Sequence, residues 1–241
     1  MAAGAAWAVS EVANVTPHPV TRPLLVEVAG PAGAGKTSLT RSLLPRLNGA
    51  SGSIWGRPVF DLLGNGVQLM PTFGPLWLHS RSLLWRETRH IVRLQTLYRA
   101  LQTPSWSSPE ILIFDEGPVF SMAWLRGFGH ETMRQPPSAE WWRTAVRDWA
   151  SVIDMVVVLD APDRLLAERI RTRAHEHEVK EYSDLEIACW MARFRAALNW
   201  VLEEMSRHGG PQVVRLSSDD HESPRIAEKL LEELSGNVYG R

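Results

Sequence analysis

Residues 30–37 read GPAGAGKT and follow directly on the apolar run LLVEVA (24–29). Gly30, Gly35, Lys36 and Thr37 meet the pattern G-x-x-x-x-G-K-[ST], with a strand-like segment before it and a helix-like one after it. This sequence of strand, glycine-rich turn and helix limits the fold more than any other feature of the chain. Glycines let successive backbone N–H groups turn inward around a phosphate chain, and the helix that follows points its positive end at it. The candidate phosphate-binding residues are therefore Gly30, Ala32, Gly33, Ala34, Gly35, Lys36, Thr37 and Ser38. Lys36 is expected to reach the outer phosphates of a nucleoside triphosphate, and the Thr37 hydroxyl to ligate Mg²⁺.

Three further runs read as buried parallel strands: ILIFD (111–115), MVVVLD (155–160) and QVVRLS (212–217). Each is short, aliphatic and bounded by turn residues or a charge. Helical patterns lie between and after the strands: KTSLTRSLLPRL, a long segment from about Trp77 to Leu101, AEWWRTAVRDWASVI, DRLLAERIRTR, DLEIACWMARFRAALNWVLEEM and SPRIAEKLLEEL. Strands alternating with helices imply an α/β sandwich whose parallel sheet is covered on both faces. From Ala50 to Gly74 the Gly and Pro content breaks the chain into loops, with a short strand expected near RPVFDLL.

A chain of 241 residues supports one well-buried core. The expected organisation is a mobile tail over residues 1–22 and a single domain over 23–241. Within that domain, a substrate-binding insertion is expected at about 50–106 and a lid at about 164–184. The formal net charge of −1 offers no long-range attraction to nucleic acid or to an anionic membrane. The longest apolar runs are strand-sized, well short of the roughly 20 residues that span a bilayer. The single cysteine, Cys189, excludes an internal disulfide framework and fits a reducing, cytoplasmic setting.

Two more motifs carry chemistry. In ILIFDEG, Asp115 ends a hydrophobic strand and is placed to hold Mg²⁺. Glu116 follows at once, where it could polarise a water, accept a proton from an acceptor hydroxyl or pair with an arginine. In DAPDRLLAERIRTRAHEHE, a strand ends at Asp160 and a helix begins that carries Arg164, Arg169, Arg171 and Arg173. Arg169 and Arg173 are four apart and share a helix face. On a closing segment they would neutralise the charge that phosphoryl transfer spreads over the moving group.

With these parts in place, residues 23–235 resemble the P-loop kinases of the thymidylate kinase and deoxynucleoside kinase group. The resemblance rests on GPAGAGKT, FDEG, VVVLDAPDRLLAERIRTR and YSDLEIACWMARFRAALNWVLEEM. It implies a P-loop NTPase three-layer sandwich with a five-stranded parallel sheet in the order 2-3-1-4-5, a helical substrate region and an arginine-bearing lid. It also implies ATP as phosphate donor with Mg²⁺, and Lys36, Asp115, Glu116, Arg169 and Arg173 as the residues of catalysis. The chain departs from the pattern at Glu116, where thymidylate kinases carry an arginine that helps to bind the acceptor. It also lacks a clear counterpart of the Glu-Pro that ends their second strand, for which Arg57 and Asp61 in GRPVFD are a loose echo.

The acceptor is left open: a nucleoside, a nucleotide or another small hydroxyl compound. Arg86, Arg89 and Arg93 follow one another at helical steps, which suits either a solvated face or a cleft that takes an anion. Asp61, Phe73 and Trp77 could line the acceptor pocket. Most of the eleven tryptophans, Trp124 among them, read as core and packing residues or as the wall of a pocket for a flat or apolar substrate, and exposed ones would bury in a homodimer. His175 and His177 read as a polar surface segment. A P-loop ATPase or a nucleotide-binding regulator is the alternative reading; the chain carries neither an LSGGQ signature nor an N-K-x-D motif.

Overall fold

Along LLVEVA alternate side chains face opposite ways, and both faces are buried. Leu24, Val26 and Val28 enter one apolar cluster, Leu25 and Ala29 another. A strand of this kind needs partners on both edges and helices on both faces. The computed structural model provides both; it describes residues 22–47, 49–52, 74, 84–102, 110–173, 178–218, 227, 228, 230 and 231.

Five strands, β1 (Leu24–Ala29), β2 (Gly49–Gly52), β3 (Ile111–Asp115), β4 (Met155–Asp160) and β5 (Gln212–Ser217), form one parallel sheet in the order β2-β3-β1-β4-β5. Six α-helices flank it among the described residues: α1 (Lys36–Leu43), α2 (Trp85–Leu101), α3 (Pro118–Phe128), α4 (Ala139–Ala150), α5 (Asp163–Thr172) and α6 (Asp184–Ser206). Helices α1 and α5 cover the face that carries Val26 and Val28. Helices α2, α3, α4 and most of α6 cover the other. The three-layer sandwich and the 2-3-1-4-5 order are those expected from the sequence.

Four differences have physical causes. The second strand of the sheet lies at GASG, where no propensity marks it, while RPVFDLL, the stretch expected to hold a short strand, lies outside the described residues. There the Phe114 ring packs against the backbone so closely that a Cβ on Gly52 would sit 2.5 Å from it. Strand β5 is not buried as expected, since it closes the sheet edge and leaves Gln212, Val213 and Arg215 exposed. Pro45 ends α1 early and converts its last turn to 3₁₀ helix. Helix α3, absent from the sequence reading, is buried along almost its whole length, so no polar stripe gives it a period. Within the long helix expected from Trp77, the described part begins at Trp85.

Trp124, Trp142 and Trp149 are buried, as expected of packing residues, while Trp85 stands exposed. No described helix is long and apolar enough to cross a membrane.

Helix α6 starts on a reciprocal capping box between Ser183 and Glu186. Its middle is riveted to the sheet by Arg195. The guanidinium donates to Asp160 Oδ2 at 2.7 Å, Asp160 Oδ1 at 3.0 Å, Asp163 Oδ1 at 2.5 Å and the Ala161 carbonyl at 3.0 Å. These bonds raise the Arg195 pKa, Asp160 contributing most, and join the end of β4, the start of α5 and α6. Replacing Arg195 by Met removes them and leaves two carboxylates facing each other. The expected loss is about 1–2 kcal/mol, held down by partial solvation, and a urea titration of the variant against the wild type measures it.

Candidate active site

The turn between β1 and α1 is shaped by a close backbone approach. Gly30 has φ 150°, and a Cβ there would lie 2.0 Å from the Leu159 carbonyl oxygen of β4. Gly33 and Gly35 also take positive φ, at 83° and 92°. Gly35 caps α1, which has no acidic residue in its first turn and no side-chain cap, so its N–H groups face the loop unopposed. Lys36 folds back under this loop. Its buried ammonium donates to the Gly30 and Pro31 carbonyls at 3.1 Å each. Burial lowers its pKa, and Arg173 pushes the same way, while Glu116 and then Asp115 oppose the shift. Ala32 and Ala34 are buried beneath the turn, and Ser38 follows on α1.

Register places the metal candidates together. Asp115 pairs with Val28 across the β3–β1 ladder, at the mouth of the loop. Its Oδ2 accepts from Thr37 Oγ1 at 2.6 Å. Its Oδ1 is buried and has no hydrogen-bond partner. A carboxylate oxygen left unsatisfied beside a hydroxyl is a hard-oxygen pair suited to Mg²⁺. The residues present therefore fit that ion.

Glu116 has φ 59°, the left-handed region, where it is the one non-glycine among the described residues. Such a backbone costs of order 1 kcal/mol and persists where neighbours over-determine it. Next to it a Cβ on Gly117 would lie 2.6 Å from Phe114 Cβ and 2.8 Å from Glu27 Oε2, so the chain must turn sharply there. The Glu116 carboxylate makes no ion pair or hydrogen bond with a described side chain, and its charge is felt at Lys36.

The two arginines expected on a lid part company. Arg169 donates to the Gly33 carbonyl at 3.3 Å, Ser218 Oγ at 3.0 Å and the Ser218 carbonyl at 2.8 Å. It clamps the phosphate loop to the end of β5. Arg173 lies beyond the end of α5, exposed and near enough to Lys36 to shift it. His175 and His177 lie outside the described residues, as do Arg57, Asp61, Phe73 and Trp77.

A cavity of about 260 Å³ opens beside this centre, lined by Arg86, Arg89 and His90 of α2, Phe120 and Trp124 of α3, Glu178, and Trp190 of α6. Phe120 joins it to the phosphate loop, because the Lys36 ammonium lies 5.7 Å from its ring centre. His90 stacks on Trp124 at 4.5 Å, and the Arg86 guanidinium packs 4.8 Å from the same indole. Burial first, then Arg93, Arg86 and Arg89, pull the His90 pKa down to about 4, so this imidazole is neutral near pH 7. Arg86 also pairs with Glu178 at 3.3 Å. The arginine row of α2 thus contributes two members, Arg86 and Arg89, to the cavity wall.

Solved structures of similar shape share this arrangement of strand, loop and helix. A thymidylate kinase from Candida albicans aligns over 90% of this chain and 92% of its own, with 13% identity and a TM-score of 0.57. A deoxyadenosine kinase from M. mycoides aligns over 88% of this chain and 100% of its own, with 12% identity and a TM-score of 0.51. The fold is that of the P-loop kinases. No protein-family model matches the sequence, and no curated protein matches it. Within this fold, Glu27, Phe120 and His90 are candidate site residues that sequence reasoning did not single out, whereas Trp124 is one of the tryptophans it did. The charge in LLVEVA was the one available signal for Glu27.

Glu27 stands in the middle of the central strand and is fully buried. Its carboxylate accepts from Val119 N at 2.8 Å and Phe120 N at 2.7 Å, the first turn of α3. Burial raises its pKa to about 7, with a smaller push from Asp115, against the lowering effect of the backbone donors. Below the ordinary value of 4.5 the group is protonated in both folded and unfolded chains. As pH rises through the folded value, the native state must hold a buried charge that water stabilises better in the unfolded chain. The advantage of wild type over Glu27→Gln should therefore shrink between about pH 4.5 and 8, by about 3 kcal/mol. Urea unfolding of both proteins across that range tests it, and a constant difference would overturn it.

Proposed function

We propose that this protein is an ATP-dependent phosphotransferase that moves the γ-phosphate to a hydroxyl of a small planar acceptor carrying an anionic group. One observation carries the reading: the aromatic and arginine-lined cavity meets the phosphate loop at Phe120, within 5.7 Å of the Lys36 ammonium. A motor or a switch needs no such chamber next to its phosphate site, and a group-transfer enzyme does.

Each side chain then has a role set by its position. Backbone N–H groups from Gly30 to Ser38 and the start of α1 cradle the phosphates. Lys36 exchanges its two carbonyl acceptors for phosphate oxygens, which relieves the cost of its buried charge. Thr37 and Asp115 would hold Mg²⁺, which supplies charge neutralisation on the leaving phosphates. Glu116 accepts the acceptor's hydroxyl proton while the new O–P bond forms and the bond to the β-phosphate oxygen breaks. Arg173 stands by the cradle, where negative charge accumulates during transfer.

On the acceptor side, a flat ring lies among Phe120, Trp124 and Trp190, and Arg86 and Arg89 hold its anionic group. His90, neutral and stacked, adds a hydrogen-bonding edge to that wall.

ATP turnover should be slow alone and rise with the true acceptor, read as phosphorylated product by mass across a panel of nucleosides, nucleotides, sugars and other hydroxyl compounds. Glu116→Gln should lower kcat by about 10² to 10⁴ with the fold intact. Arg86→Gln should raise KM for an anionic acceptor about tenfold with kcat nearly unchanged. ATP turnover indifferent to every compound of the panel would overturn the transferase reading.

A further inference from the structure

A second cavity lies on the same face of the sheet, and none of its lining residues belongs to the phosphate loop or the acceptor chamber. It encloses about 390 Å³ between the end of α3, the 3₁₀ turns at 131–134 and 136–138, the first half of α4 and the end of α6. Its charge is lopsided. Arg126, Arg134, Arg143 and His208 border it with a single carboxylate, Glu204, which already forms an ion pair with Arg207.

The arginines are held in place by contacts to backbone carbonyls and a ring, and the one carboxylate on the wall, Glu204, only partly offsets their charge. Arg126 is partly buried, with its guanidinium 4.2 Å from the Trp200 ring centre. Arg134 donates to the Gly129 carbonyl at 2.9 Å and to the Arg126 carbonyl at 3.3 Å, which sets its head beside Arg126. Neither Arg126 nor Arg143 has an ion-pair partner among the described residues. Burial, and then the charge of Arg134, lower the Arg126 pKa, against a smaller opposing effect of Glu204. Like charges gathered on a partly dry wall cost free energy that a bound anion recovers. The floor is apolar: Met133, Val146 and Trp142, whose indole N–H is spent on the Met133 carbonyl at 2.6 Å. The volume is within the range of small-molecule sites.

We propose that this cavity is a second binding site, for a small organic phosphate. Its phosphate sits among Arg126, Arg134 and Arg143, and its apolar part lies against Trp142 and Met133. The site goes beyond the phosphotransferase reading and stands without it.

Phenyl phosphate is the probe, titrated by calorimetry into full-length protein whose phosphate loop is saturated with Mg²⁺ and a non-hydrolysable ATP analogue. Binding is expected for phenyl phosphate, weaker binding for inorganic phosphate and none for phenol. In an Arg86→Gln background, which disables the acceptor chamber, binding should persist, and adding Arg126→Gln or Arg143→Gln should each weaken it about tenfold or more. Arg143 is exposed and makes no ion pair, so its variant serves if Arg126→Gln fails to fold. Absence of binding, binding that ignores both substitutions, binding lost with Arg86→Gln, or inorganic phosphate bound as tightly as phenyl phosphate would each overturn the proposal.

Discussion

A carboxylate in the middle of the central strand organises the catalytic end of this molecule. Glu27 shares its face of β1 with Leu25 and Ala29, so it points into the apolar layer under α3. It replaces the solvent that the first N–H groups of α3 would otherwise need, accepting from Val119 and Phe120. That bond fixes where α3 begins. It thereby fixes the sharp turn at Glu116 and Gly117, the end of β3 at Asp115, and the placement of Phe120 beside Lys36. The start of α3, and with it Phe120 in the cavity wall, is thus positioned by one buried group. Its raised pKa is the electrostatic cost of seating it there.

The same end of the sheet shows how strain and packing divide the work. At Gly30 the loop passes so near Leu159 that only hydrogen fits at the Cα, so that residue type follows from steric exclusion. At Glu116 a residue with a full side chain tolerates the left-handed region. Glycine would sit there with less strain, yet it would carry no carboxylate. Retaining a strained acid within the field of Lys36 is what a chemical role at that position would require.

How far these features could be read in advance depends on whether their cause is local. The phosphate loop, β1, β3 and β4 announce themselves because glycine spacing and aliphatic runs are properties of neighbouring residues, and the loop's Thr37 and Asp115 meet through simple parallel register. Strand β2 could not be read, since GASG is extended only because the Phe114 ring and β3 hold it so. Helix α3 was invisible for the opposite reason, being apolar all round and capped by a residue 92 positions away in sequence. Arg169 and Arg173 looked equivalent at a four-residue spacing. Only the position of Ser218, at the end of the last strand, separates a clamp on the loop from a cation near Lys36.

The departure at Glu116 from the thymidylate kinase pattern also finds a physical account. An arginine at that turn would add a cation to a centre that already holds Lys36 and Arg173, and it would replace a group able to take a proton. The cations that line the cavity come instead from α2, where Arg86 and Arg89 stand on a helix packed against α3. On the proposed reading, positive charge for holding an anion and negative charge for taking a proton are carried by different elements. The anion-binding duty then rests on a separate helix, where Arg86 and His90 pack on the Trp124 ring.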